Sequence, residues 1–332
     1  MNTPTHQIKR GVSLYSYQYE TFLGKMTQED CIAHAAAIGA HGIEVVSEQS
    51  FRGWPDLPDS AYQQWHGWME KYGTVPVAHD MFLDIKLQKD RKLTFDEMVA
   101  SVKRDLKHAN RLGCKVMRVI INTPPEVVMA CVPYAEEMDV RMGLEVHSPW
   151  HFDHPWILRY TEMIEATGSM HVGYLPDMGM FTKNFPPVFR DRFLRRGATP
   201  KVVEFILDAH RQRILTDYVL VDVRKMGGNA VDLEMAETTR HNIWSNPRRL
   251  LEFMPRIFHI HAKFYEIDDS GKEPAIPYEE IIPVLIEGGY SGYLSSEYEG
   301  QRHIEDAFEV DGVEQVRRQH EMFKRLLGET VV

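Results

Sequence analysis

Short apolar runs alternate along the chain with longer stretches in which apolar residues return every three or four positions. The runs are "RGVSLYSY" (10–17), "HGIEVVSE" (41–48), "VPVAHDMF" (75–82), "VMRVIINT" (116–123), "RMGLEVHS" (141–148), "MHVGYLPDMG" (170–179), "IFHIHAKFY" (257–265) and "GYLSSEYEG" (292–300). Their length and their β-branched and aromatic content fit buried strands. Between them the helical period predicts helices over about 26–40, 59–72, 94–112, 125 onward, 155–167, 277–287 and a terminal one to about 327. Thr27, with Asp30 three residues on, reads as the N-cap of the first.

Strand and helix in strict alternation imply a parallel sheet, because parallel neighbours need crossover connections. Eight such units in 332 residues favour an α/β fold of the (β/α)8 TIM-barrel type, as one domain over 1–332. An open doubly wound sheet is the alternative, but no glycine-rich dinucleotide fingerprint follows an early strand. The stretch of about 179–256, between the sixth and seventh strands, is too long for one connection. It holds at least one helix, near 200–216, and the basic run "RDRFLRRGA", and reads as an insertion serving as lid or partner-docking region.

Composition narrows the setting. With 38 Lys and Arg against 48 Asp and Glu, the net charge of −10 argues against general nucleic-acid or anionic-membrane binding. No apolar run approaches a membrane span. Cys31, Cys114 and Cys131 are odd in number and far apart, the pattern of reduced thiols in a cytoplasmic protein.

A barrel carries its chemistry where the strands end. There the fifth strand has Glu145 and His147, the sixth Asp177, the seventh His259, His261 and Lys263, and the eighth Ser295, Glu297 and Glu299. Residues two apart on a strand share a face, so Glu145 and His147 both point inward. Three carboxylates converging on one mouth repel one another unless they take up protons or a cation sits among them. A divalent metal held by Glu145, Asp177, His261 and Glu297 resolves that conflict. Three oxygen ligands and one imidazole suit Mn2+, with Mg2+, Zn2+, Co2+ and Fe2+ as alternatives. His79, Lys263, Tyr17 and Trp150 are the candidate substrate contacts, each with ordinary packing or ion pairing as the competing role.

"GLEVH", "LPDMG", "HIHAKF" and "SSEYEG", in that order at the ends of the last four strands, resemble the xylose-isomerase-like barrel superfamily of sugar isomerases and epimerases. That resemblance implies a divalent metal on Glu145, Asp177, His261 and Glu297, with Glu145 or Glu297 also able to serve as acid/base. The ketose 3-epimerases of the superfamily usually carry a histidine three residues after the metal aspartate, where this chain has Met180. His147, followed by "SPWHFDHPW", looks more like the larger subunit of bacterial C-glycoside deglycosidases. Those enzymes cleave the carbon–carbon bond between a 3-oxo sugar and an aromatic aglycone, and they work with a small β-sandwich partner subunit. The expected function is therefore C–C lyase chemistry on 3-oxo C-glycosides, through a metal-stabilised enediolate and His147 as base. The alternative is a metal-dependent sugar isomerase or epimerase.

Overall fold

The computed structural model describes residues 7–329. Eight strands form one parallel sheet: β1 (Lys9–Ser13), β2 (Gly42–Val46), β3 (Val75–Met81), β4 (Val116–Val119), β5 (Arg141–Val146), β6 (Val172–Pro176), β7 (Ile260–Phe264) and β8 (Tyr293–Tyr298). Their order is β6-β5-β4-β3-β2-β1-β8-β7. Two parallel bridges, Tyr174 with Ile257 and Asp177 with His261, join β6 to β7 and bring the ring round to a (β/α)8 barrel. The Phe258 amide donates to the Tyr174 carbonyl across that seam at 3.0 Å. Gly173 makes the close approach possible, since a Cβ there would lie 2.4 Å from the Arg256 carbonyl oxygen. Strands buried on both faces explain why the sequence shows near-continuous apolar runs and little alternation.

Local signals set the helix ends. Thr27 and Asp30 form a reciprocal capping box at Gln28–Ala37, and Thr94 with Glu97 does the same at Phe95–Leu112. Gly113, at φ 82°, ends the second of these in the left-handed conformation that glycine adopts without strain.

One expectation changes, and another is filled out. The first strand stops at Ser13, and Leu14–Tyr17 turns into a 3-10 helix that leads into the helix Gln18–Phe22. Apolar content alone did not separate these conformations. The stretch between β6 and β7 carries four helices longer than eight residues, Pro187–Arg195, Pro200–Arg211, Thr216–Lys225 and Ala230–Thr238. They bury Phe193, Val203, Ile206, Val223 and Met235 in a hydrophobic core separate from that of the barrel. The stretch touches the barrel mouth at Ser148, whose hydroxyl donates to the His241 carbonyl, and its two ends are joined by a bridge of Phe181 with Trp244. Cys31, Cys114 and Cys131 are all free and buried, and no described helix is long and apolar enough to cross a membrane.

Candidate functional site

Acidic and basic side chains from β2, β3, β4, β5, β7 and β8, with Asp177 just past β6, meet at the C-terminal end of the barrel. The centre is His261 on β7, which is fully buried. Its Nδ1 lies 3.1 Å from Glu145 Oε1 and 3.6 Å from Glu297 Oε1. On the opposite edge its Nε2 lies 3.0 Å from Glu44 Oε1 and 3.8 Å from Asp80 Oδ1. Asp177 closes the group from the end of β6, its Oδ1 accepting from the Gly179 amide at 2.6 Å. One donor atom each from Glu145, Asp177, His261 and Glu297 lies within 4.8 Å of the others, a set able to hold a metal ion.

Lys263 and Arg118 are the cations of the cluster. Lys263 Nζ sits 2.6 Å from Asp177 Oδ2, 3.4 Å from Glu297 Oε2 and 3.5 Å from Glu299 Oε1. Arg118, buried mid-strand on β4, reaches Asp80 at 3.5 Å and Glu145 at 3.6 Å. Burial opposes charge on Glu145, but Arg118 first and then His261 outweigh it and hold its pKa well below the usual carboxylate range. Glu297 goes the other way: burial pushes it up to about 8 despite Lys263 and His261. On His261 burial again opposes charge, yet Glu44 and Glu297 raise its pKa well above the ordinary imidazole value. Similar groups with opposed shifts in one mouth are the electrostatic mark of a functional site.

The fit to a divalent cation can be read from the charges and the donor set. Six carboxylates (Glu44, Asp80, Glu145, Asp177, Glu297 and Glu299) face Arg118, Lys263 and the two imidazoles of His259 and His261. Asp177 Oδ2 and Glu297 Oε2 are buried and share a single cation, Lys263 Nζ, as their partner. Three carboxylates and one imidazole, each with a donor atom within 4.8 Å of the others, are the donor set that an oxygen-preferring divalent cation takes.

His147 stands just beyond β5, half-buried. Its Nδ1 lies 2.7 Å from the Ser148 carbonyl oxygen, and Trp150 meets its ring edge-on with centroids 5.5 Å apart. His154 is turned to another task, since its Nδ1 accepts from the Trp156 amide and caps the helix Pro155–Thr167.

Two candidate substrate contacts are placed elsewhere. His79 is fully buried, with Nδ1 2.9 Å from Ser47 Oγ and Nε2 3.3 Å from Asp105 Oδ1 on an outer helix. The two-residue period of β3 turns His79 outward and its neighbour Asp80 inward. Tyr17 is buried against the helix Gln28–Ala37, its hydroxyl 2.7 Å from His34 Nδ1, because the strand ends before it. Tyr15 takes the mouth position, donating to Glu299 Oε1 at 3.3 Å. Asp80 and Arg118 are members of the cluster that sequence reasoning missed. A lone arginine inside the apolar run "VMRVIINT" was the available signal.

A barrel with a buried polar cluster at its C-terminal mouth defines the class to which (β/α)8 enzymes belong. The chain belongs to the xylose isomerase-like TIM barrel family, whose model matches residues 32–326. It is 32% identical to a C-glycoside deglycosidase alpha subunit of Arthrobacter globiformis, over 98% of this chain and 94% of that one. It is 31% identical to a 3'-dehydrocarminate deglycosidase alpha subunit of a Microbacterium species, over 96% and 95% of the two chains. In fold it is similar to a sugar phosphate isomerase/epimerase from Parabacteroides distasonis, with a TM-score of 0.57, 12% identity, and 97% and 96% of the two chains covered.

Proposed function

We propose that this chain is the catalytic subunit of a C-glycoside deglycosidase, cleaving the C–C bond between a 3-oxo sugar and an aromatic aglycone. In this reading Glu145, Asp177, His261 and Glu297 hold a divalent cation, Mn2+ by the character of the donors, and a small β-sandwich subunit completes the enzyme. The observation that carries it is the closeness of those four donor atoms, within 4.8 Å of one another, at a mouth where His147 follows Glu145 by two residues. The two deglycosidase alpha subunits, matched over nearly the whole chain, support the choice of reaction.

When bound, the cation supplies positive charge to the negative charge that develops on substrate oxygens. The protein's own groups do the rest. His147 donates Nδ1–H to the Ser148 carbonyl at 2.7 Å, which leaves the Nε2 lone pair as the basic nitrogen. That nitrogen takes the proton from C2, beside the 3-oxo group. The electron pair left at C2 forms a C1=C2 double bond as the C1–aryl bond breaks, and the aryl carbon takes up one proton. Atoms balance, with no oxidant or reductant required. Trp150, packed on His147, offers a flat apolar wall beside the reacting carbons for an aromatic aglycone. Lys263 holds Asp177, Glu297 and Glu299 in register and keeps their charges apart.

An isomerase or epimerase shares the proton-abstraction step. Against it stands Met180, which is fully buried and presents no polar side-chain atom where ketose 3-epimerases carry a histidine. The test is an assay of the metal-loaded chain, with and without its co-encoded small subunit, on 3-oxo C-glucosides and on free ketohexoses. Release of free aglycone is expected. Ketohexose turnover by the chain alone, without aglycone release, would overturn the reading.

A further inference from the structure

Below the four-residue cluster, in the middle of the barrel, Glu44 occupies the centre of β2 with no exposure at all. Nothing in its strand explains it: Gly42, Ile43, Val45 and Val46 around it are apolar. Both of its oxygens point at histidines of the β7 segment. Oε2 lies 2.5 Å from His259 Nε2, and Oε1 lies 3.0 Å from His261 Nε2. His259 and His261 are two residues apart and meet at nearly a right angle, with ring centroids 6.2 Å apart, so one carboxylate spans both.

His261 is the only imidazole among the four donors, and its ring has two inequivalent edges. Nδ1 faces Glu145 and Glu297, while Nε2 faces Glu44. A neutral imidazole has one N–H and one lone pair. For Nδ1 to offer its lone pair on the Glu145 side, the proton must sit on Nε2, and Glu44 Oε1, 3.0 Å away, is the nearest carboxylate oxygen to it, ahead of Asp80 Oδ1 at 3.8 Å.

We propose that Glu44 is a positioning residue that fixes the Nε2–H tautomer and the ring orientation of His261, with His259 anchoring the carboxylate from its other oxygen. This rests on the metal assignment made for the cluster but not on the reaction. A carboxylate behind a ligand histidine raises the basicity of the ring, and its loss typically costs about 10- to 100-fold in metal affinity. Glu44→Gln tests the point with little change of volume. Its amide can present either an oxygen or an NH2 to His261, and the NH2 would force the proton onto Nδ1, on the cation's side.

The experiment is calorimetric titration of metal-free protein with Mn2+, comparing wild type, Glu44→Gln and His259→Phe. Histidine 15N spectra of the Zn2+-loaded proteins are recorded alongside. Wild type is expected to show His261 as a single Nε2–H tautomer. Glu44→Gln should bind Mn2+ about 10- to 100-fold more weakly, at an unchanged melting temperature of the metal-free protein, and show a mixed or inverted tautomer. His259→Phe, which removes the anchor and leaves Glu44 in place, should move both readouts the same way by less. Should Glu44→Gln not fold, His259→Phe alone decides between a shifted tautomer and an unchanged one. Wild-type binding with Glu44→Gln or His259→Phe equal to it in both affinity and tautomer would overturn the role of Glu44. Absence of Mn2+ binding in wild type would instead overturn the metal assignment and this inference with it.

Discussion

Glu145 and His147 are two residues apart in the chain, yet their surroundings differ. Glu145 is buried against Arg118 and His261 and stays ionised, as a cation ligand requires. His147 is half-buried with one ring nitrogen tied to the Ser148 carbonyl. Glu145→Gln should therefore lose most bound metal, measured by elemental analysis of the purified protein. His147→Ala should keep its metal and lose about 10²- to 10⁴-fold in turnover, the usual share of a general base. Full activity in His147→Ala would remove it from the mechanism.

Away from the mouth, His108 offers a different test at the same scale. Its ring is packed on Trp54 with centroids 4.4 Å apart, its Nδ1 is hydrogen-bonded to the Tyr62 hydroxyl, and burial pushes its pKa down to about 4. In the unfolded chain the ring titrates near its ordinary ~6.5. Between these values the unfolded state binds more protons, so stability is fully present above about pH 6.5 and falls as pH drops toward 4. Urea unfolding of His108→Gln at pH 7.5 and pH 5 should show its deficit against wild type shrinking at the lower pH. A constant deficit would mean that His108 does not contribute this slope.

At the scale of elements, the seam between β6 and β7 depends on Gly173. Gly173→Ala would place a methyl group 2.4 Å from the Arg256 carbonyl and 2.7 Å from the Phe258 ring, and neither backbone nor ring can yield freely. The expected cost is about 1–3 kcal/mol by urea unfolding. Gly67→Ala is the control, because its Cβ meets nothing within 4 Å inside the helix Asp59–Tyr72, and it should stabilise by up to about 1 kcal/mol. Most of these elements were legible in the sequence, since strands buried on both faces write themselves as apolar runs. The end of β1 was not, because "LYSY" is as apolar in a 3-10 turn as in a strand. Between β6 and β7 the reading named one helix near 200–216 and left the number open, because the apolar faces there serve a small core of their own. For the site, Glu145, Asp177, His261 and Glu297 stood out as polar residues where strands end. Glu44, Asp80 and Arg118 lie deeper, where a charge reads as structural until its partners on other strands are seen. His79 and Tyr17 were misplaced by one face and one turn respectively.

At the scale of the whole molecule, the cluster draws on six strands and the end of a seventh, and a cation on Glu145, Asp177, His261 and Glu297 would tie four successive strands, β5 to β8, across the β6–β7 join. Mn2+ at 100-fold over its dissociation constant should add about 2.7 kcal/mol and raise the melting temperature relative to protein held in chelator. The likeness to alpha subunits raises the matter of a second chain, which size-exclusion chromatography of co-expressed subunits would answer. A stable complex that elutes ahead of this chain is the expected outcome.

The seam itself has a consequence for how the ring holds shut. Asp177 and His261, which face each other across the β6–β7 join, are also two of the four donors. The place where the hoop is fastened by the fewest backbone bonds is therefore where an ion would act as its clasp. Deuterium uptake at the Phe258 amide, which donates to Tyr174 across the join, should slow on Mn2+ loading more than uptake in β3 on the far wall.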